Sequence, residues 1–278
     1  MSEKFLQLNY NKVIKEIRNF ISKQVRSKNK SGIVIGLSGG LDSSICLVLA
    51  SRAIEKNRIT ALIMPEKGLT PKKDVDNARN LAKKLKIKYK EIPIERAKKI
   101  LLRNLPKDKL SGGNLSARLR MALLYYYAGI NNLLVLGTSD KSELMIGYFT
   151  KFGDGAADIL PIGGLYKSQV KMLGKKLRLS EQIIQEPSSP RFWKGHEAEK
   201  EIGLSYHEID TILQYYLNND LHNCKQNKPK IKLVTDMIKK SQHKRELIPV
   251  CNTFESNSTN GSQKNFRTKK NKLDISYH

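Results

Sequence analysis

Gly36-Leu37-Ser38-Gly39-Gly40-Leu41-Asp42-Ser43-Ser44 puts three glycines, three hydroxyls and one carboxylate directly after a short apolar run. Glycines let a backbone turn so that several N–H groups face one point. The N-terminus of a following helix adds partial positive charge, and the combination cradles phosphate. Hydroxyls of Ser38, Ser43 and Ser44 can donate further bonds. The segment is not a Walker A loop, because the lysine of GxxxxGK[ST] is absent. An ordinary Ser/Asp helix cap is the competing reading, and the full SGGLDSS spacing behind an apolar strand favours the phosphate loop. Asp42 then requires a cation, since a carboxylate beside a polyphosphate is otherwise repulsive. Magnesium, which takes carboxylate and phosphate oxygens, is the expected partner.

A second cluster begins a hundred residues later, at Gly137-Thr138-Ser139-Asp140-Lys141-Ser142-Glu143. Thr138 follows an apolar run, level with the first loop, so its hydroxyl can reach the same nucleotide. Glu143 is a second carboxylate able to share the magnesium with Asp42. Lys151 and Asp158 flank the glycine-rich Gly153-Asp154-Gly155-Ala156-Ala157, a segment able to approach a ligand closely. Lys167, near a helix start, can neutralise phosphate charge.

These residues need a scaffold that brings them to one edge. Apolar periodicity predicts helices over 3–25, 42–56, 71–85, 114–128, 166–177, 205–218 and 230–243. Short apolar runs predict strands over 33–37, 58–64, 87–94, 132–136 and 158–162. Strands alternating with helices imply an α/β fold: a doubly wound, five-stranded parallel sheet in three layers with flanking helices. Such sheets bind ligands at the carboxyl ends of their strands, where strand order reverses. Residues 1–250 read as one domain, and 251–278, rich in Asn, Ser, Thr and Lys, as a disordered tail.

The bulk composition excludes more than it assigns. No apolar run is long enough to cross a bilayer, and the charged N-terminus does not resemble a signal peptide. Cys46, Cys224 and Cys251 are too far apart for a metal knuckle and odd in number. Reduced thiols in a cytoplasmic protein are expected. The net charge of +25 suits a polyanionic partner, but Lys outnumbers Arg 38 to 13 and is scattered along the chain. Phosphate readers favour the Arg fork, so compositional bias explains the charge better than a specific nucleic-acid partner.

The SGGLDSS loop together with Leu136–Glu143 and Gly147-Tyr148-Phe149-Thr150-Lys151-Phe152-Gly153-Asp154-Gly155-Ala156-Ala157-Asp158-Ile159-Leu160-Pro161 resembles the ammonia-dependent NAD+ synthetase family, of the ATP-pyrophosphatase (adenine nucleotide alpha-hydrolase-like) superfamily. The resemblance runs from about residue 10 to about 250. It implies that Gly36, Leu37, Ser38, Gly39, Gly40, Leu41, Asp42, Ser43, Thr138, Lys167 and Ser189 bind ATP, and that Asp42 and Glu143 hold Mg2+. It further implies that Arg118, Lys151, Asp158, His243 and Lys244 bind deamido-NAD+, and that the enzyme is a homodimer. One stretch departs from the family pattern: Pro187-Ser188-Ser189-Pro190-Arg191-Phe192-Trp193-Lys194-Gly195-His196-Glu197-Ala198 has His196 for the usual Gln and Ala198 for an expected Asp.

The implied reaction adenylates a carboxylate, because hydroxide is too poor a leaving group for ammonia to displace. Asp42 and Lys167 would stabilise charge, and Asp154 or Asp158 is the candidate for handling ammonium. Glutamine-using members carry an amidase domain ahead of the synthetase part. Here the phosphate loop starts at residue 36, so free ammonia, or ammonia from a separate amidase, is the expected donor. The rival readings are a pyrophosphate-loop enzyme acting on tRNA by thiolation or lysidine formation, and a basic nucleic-acid-binding protein. Neither accounts for the 138–161 cluster.

Overall fold

In a computed structural model, residues 7–251 are described, and the expected tail beyond 251 lies outside them. The chain forms four parallel strands: β1 (Gly32–Gly36), β2 (Ile59–Ile63), β3 (Lys88–Glu91) and β4 (Leu133–Leu136). Their spatial order is β3-β2-β1-β4. The chain steps outward from β1 to β3 on one side, then crosses back to place β4 on the other. The reversal point therefore lies between β1 and β4, where ligands bind in such sheets.

Alternation along the buried strands divides the core into layers. Ile33 and Ile35 of β1 pack with α1 (Tyr10–Ser27), α2 (Leu41–Ser51) and α3 (Lys72–Leu85). Val34 points the other way, with Leu62 and Val135, toward the long α5 (Lys109–Asn131), which follows the short α4 (Glu95–Leu101). Helix α1 follows the Asn9 cap and buries Ile17, Ile21 and Val25, one residue per turn. A separate apolar cluster joins α6 (Lys141–Ile146), α9 (Ala198–Ile202), α10 (Tyr206–Leu217) and α11 (Lys228–Lys240). Helix α7 (Lys167–Lys176) packs between α10 of that cluster and α2, and α8 (Glu181–Gln185) packs against α7.

The fifth strand expected over 158–162 reduces to a single parallel bridge between Leu136 and Ile159. Its start is used differently. The Asp158 carboxylate accepts the Val135 N–H at 2.7 Å, so a side chain caps the sheet edge where a strand would pair. Pro161 has no N–H to continue a ladder. The helices expected from periodicity appear among the described residues, but α1 begins only at Tyr10, with residues 3–6 of the expected 3–25 outside the described residues, α2 ends at Ser51 rather than 56, and α5 extends well beyond the expected 114–128. Sequence reading missed α4, α6, α8 and α9, all of seven residues or fewer. They are too short for a 3.6-residue period to register.

Candidate active site

The loop after β1 enters α2 through Gly40. Gly39 has φ of +83°, and a Cβ there would stand 2.0 Å from the carbonyl oxygen of Asp74, so glycine is required on both counts. The serines hold the turn: Ser38 Oγ and Ser43 Oγ lie 3.0 Å apart, and Gly40 N–H donates to Ser38 Oγ at 3.3 Å. Ser44 is fully buried and donates back to Gly40 O at 2.7 Å. Its hydroxyl is used inside the helix and does not face a ligand. Buried Cys46, one turn into α2, packs its Sγ 3.8 Å from Gly137 O and so ties the loop after β1 to the loop after β4.

That second loop ends at Asp140, a fully buried residue that caps α6. Glu143 N–H donates to Asp140 Oδ1 at 2.9 Å and Asp140 N–H donates to Glu143 Oε2, a capping box that sets Glu143 beside Asp140. Lys167 is the first residue of α7 and is 1% exposed. Its Nζ meets three carboxylates: Asp42 Oδ2 at 2.9 Å, Asp140 Oδ2 at 2.7 Å and Glu143 Oε1 at 2.8 Å. The start of α7 is itself fixed. Lys167 N–H donates to Ser142 Oγ at 2.9 Å and Ser168 N–H to Asp210 Oδ2 at 2.8 Å, while Ser142 Oγ donates to Asp210 Oδ1. Buried Asp210 on α10 thus positions the lysine that binds the phosphate-loop carboxylate.

Three carboxylates share one ammonium, and the electrostatics follow. Burial, reinforced by Asp140, raises Glu143 to about 8, and burial raises Asp140 to about 6 despite Lys167 beside it. Burial alone would lower Lys167, but Asp140, Asp42 and Glu143 together hold its ammonium well above the ordinary value. Asp42 Oδ1 is buried with no hydrogen-bond partner. Asp42 Oδ2 and Glu143 Oε1 meet the Lys167 ammonium, and the unpartnered Oδ1 leaves a carboxylate oxygen that suits a magnesium ion. No group of three or more His, Cys, Asp and Glu with a metal-binding arrangement occurs among the described residues. Two carboxylates suit magnesium only where phosphate and water complete its shell.

Asp42, Glu143 and Lys167 line one cavity of about 320 Å³, with Gly36, Leu37, Ser38, Gly40, Leu41, Ser43, Thr138, Asp154 and Ser189 among its walls. Asp154 accepts the Thr150 N–H at 3.0 Å. Sequence reading singled out neither Asp140 nor Asp210, and it missed Arg120 and Tyr148, which also line the cavity. The Asp-x-x-Glu spacing of the capping box was the available signal for Asp140. Nothing local marks Asp210, which reaches the site from forty residues beyond Lys167 through tertiary packing alone.

The residues assigned by resemblance to the second substrate stand elsewhere. Arg118 Nη2 donates to Lys151 O at 3.3 Å, and Lys151 Nζ donates to His243 O at 2.5 Å, making an exposed string outside the cavity. Lys244 Nζ donates to Gly147 O and Phe149 O, both at 2.7 Å. Asp158 holds the sheet edge, as above. Ser189 Oγ donates to His196 O within the 187–198 segment.

That segment covers one side of the cavity. Arg191 pairs with Asp74 at 3.0 Å and Glu186 at 2.9 Å. Phe192 occupies the space where a Cβ on Gly113 would be, at 2.2 Å, so α5 is notched to receive it. Trp193 stacks on His196 with ring centroids 3.5 Å apart and 11° between planes. His196 is buried, its Nε2 is 2.7 Å from Glu201 Oε2, and Tyr148 Oη donates to the same carboxylate at 2.5 Å. Ala198 is fully buried, and its N–H donates to Ser188 O at 2.9 Å. Both departures from the family pattern therefore sit inside the packing of the cover.

Residues 13–248 match the NAD synthase family. The chain is 45% identical over 253 residues to an NH3-dependent NAD+ synthetase of Hyperthermus butylicus, covering 88% of this chain and 91% of that one. Among solved structures it is similar to the NH3-dependent NAD synthetase of Campylobacter jejuni, with a TM-score of 0.77, 31% identity, and coverage of 88% and 100%. It is also similar to an NMN synthetase from Francisella tularensis, with a TM-score of 0.81, 35% identity, and coverage of 88% and 100%. With a pyrophosphate-type loop and two facing carboxylates at the reversal point of a parallel sheet, this chain belongs to the NAD synthase family, whose members are carbon–nitrogen ligases.

Proposed function

We infer that the chain condenses ammonia with the nicotinate carboxylate of deamido-NAD+, converting ATP to AMP and pyrophosphate. One observation carries this reading. The phosphate loop, Thr138 and the Asp42–Lys167–Glu143 group face a single cavity whose wall also bears Asp154. In the first step a carboxylate oxygen bonds to the α-phosphorus. The bond from that phosphorus to the bridging oxygen breaks, and pyrophosphate leaves with the electron pair toward Ser38–Ser43. In the second, the ammonia lone pair attacks the acyl carbon, the nitrogen gives up a proton, and AMP departs. Asp154 is the candidate to take that proton. No protein nucleophile is required.

The chain's own residues contribute charge and alignment. Lys167, already shared by three carboxylates, holds Asp42 and Glu143 in place and offsets part of their charge rather than that of phosphate, and Thr138 orients the nucleotide. Asp42 and Glu143 would hold magnesium, which supplies Lewis-acid stabilisation of the phosphoryl oxygens when bound. The exposed Arg118–Lys151–His243 string suits the remote half of a dinucleotide. Helix α5 supports a homodimer: Leu115, Leu119, Ala122, Tyr126 and Ile130 recur at helical spacing on its outer side, with Tyr126 71% and Ile130 65% exposed. No helix among the described residues is long and apolar enough to cross a membrane, and we place the enzyme in the cytoplasm.

The likeness to an NMN synthetase favours a second reading, in which the acceptor is nicotinate mononucleotide. Turnover with ATP and ammonium chloride, using deamido-NAD+ or nicotinate mononucleotide as acceptor, separates the two. Glutamine as sole donor is the control, and sustained turnover on it would contradict the ammonia assignment. Faster amidation of the mononucleotide would overturn the dinucleotide reading. Asp42→Ala is expected to abolish turnover with either acceptor, and retained activity would refute the metal assignment.

A further inference from the structure

Arg120 is a cation with no ion-pair partner among the described residues. It projects from α5 into the cavity wall, where it is half-buried. Its Nε donates to Met64 O at 3.0 Å, and its terminal nitrogens have no acceptor among the described residues. The nearby carboxylates are engaged elsewhere. Glu66 accepts from Lys98 at 2.7 Å and from Ser116 at 2.7 Å, and Asp154 accepts the Thr150 N–H. No carboxylate oxygen among the described residues comes within ion-pair distance of Arg120. Burial lowers its pKa, with Glu66 and Asp154 acting in the opposite direction. A half-buried cation that faces a cavity with no anion beside it is a receptor that an anionic ligand would complete.

We propose that Arg120 binds the carboxylate of the acceptor end-on and so distinguishes the acid substrate from its amide product. The proposal rests on the acid-amidating reading given above. With Nε committed to Met64 O, the two terminal nitrogens form a fork that matches the two oxygens of a planar carboxylate. The triphosphate has other partners in the N-terminus of α2 and the phosphate-loop hydroxyls of Ser38 and Ser43. Asp154 lies close enough to influence Arg120, which sets an anion receptor beside the candidate ammonium receptor, the arrangement that brings nitrogen to the acyl carbon. As ammonia adds, negative charge grows on the carbonyl oxygen that Arg120 already holds. Guanidinium has no acceptor to offer. The product carboxamide, with NH2 in place of one oxygen, loses half the fork and meets donor against donor. Release follows from the chemistry Arg120 has just assisted.

The test compares wild type, Arg120→Gln and Arg120→Lys by calorimetric binding of deamido-NAD+ and of NAD+, with steady-state kinetics beside it. Wild type should favour the acid over the amide by about tenfold or more, the size of a charge-assisted bidentate pair. In Arg120→Gln that preference should collapse to within about twofold, with KM for deamido-NAD+ raised and KM for ATP little changed. Arg120→Lys should recover part of the preference, since it keeps the charge and loses the fork. Because acid and amide are compared on one folded variant, a general loss of stability cannot mimic the result. An unchanged acid-to-amide ratio, or a rise confined to KM for ATP, would overturn the assignment. Wild type that neither binds nor amidates deamido-NAD+ but turns over another acid would sink the dinucleotide reading, and the same ratio measured on that acid and its amide would then decide Arg120 separately.

Discussion

Single residues hold this site in a costly arrangement. Lys167 neutralises at most one of the three carboxylates around it, and it keeps its place because Asp210 and Ser142 fix the backbone from which it projects. Asp210→Ala should therefore act twice. It leaves the Ser168 N–H and the Ser142 hydroxyl unpaired in the core, at a cost of about 2–4 kcal/mol. It also frees Lys167, so turnover should fall by about tenfold or more through kcat rather than through KM for the acceptor. Asp210→Asn keeps one acceptor oxygen and should recover much of the stability. Denaturant melts and kinetics on both variants check this. A stable Asp210→Ala protein with unaltered kcat would contradict it.

At the scale of elements, capping decides where the short helices begin. Helix α10 starts with a Ser205–Glu208 capping box, and Glu208 also receives Lys230 of α11 at 2.5 Å. The bond from Lys230, joined by those from Ser205, lowers the Glu208 carboxyl to about 2. A carboxyl depressed by folding contributes stability that is fully present above its unfolded value, near 4.5. That contribution is lost as pH falls toward 2. Glu208→Gln should cost about 0.5–1 kcal/mol at neutral pH, the worth of a cap plus a partly exposed ion pair. The difference from wild type should shrink steadily below pH 4.5. Thermal melts from pH 7 to pH 2 read this directly, and a difference independent of pH would show that the charge has no part in it.

On the scale of the whole molecule, α5 is the element with most left uncovered. One side packs on β1 and β4, while Tyr126 and Ile130 stand in solvent. The proposed homodimer would bury that second side as well. Tyr126→Lys combined with Ile130→Lys should shift the protein from dimer to monomer in sedimentation velocity. An unchanged dimer would place the interface elsewhere, and a wild-type monomer at micromolar concentration would remove the proposal.

Much of this was legible in the residues themselves. Gly39, Asp42 and the apolar run before them specify a strand, a turn and a phosphate-facing helix start, because each requirement is local: a positive φ, a free N–H, a charge. The alternation of short strands with helices specifies a parallel sheet for the same reason, since period and handedness act within one βαβ unit. The fifth strand was misread because Asp158 looks like any strand-edge residue until its carboxylate is seen capping Val135. Lys167 could be assigned to phosphate by its neighbourhood, yet that it is enclosed by three carboxylates depends on contacts 125, 27 and 24 positions apart. Arg120 is one of 13 arginines in the sequence and becomes notable only as a cation on the cavity wall with no ion-pair partner among the described residues. Local chemistry determined the fold class and the phosphate loop. Which charges are left without partners, and so await a ligand, was decided by packing between segments distant in the chain, because desolvation and pairing exist only once those segments meet.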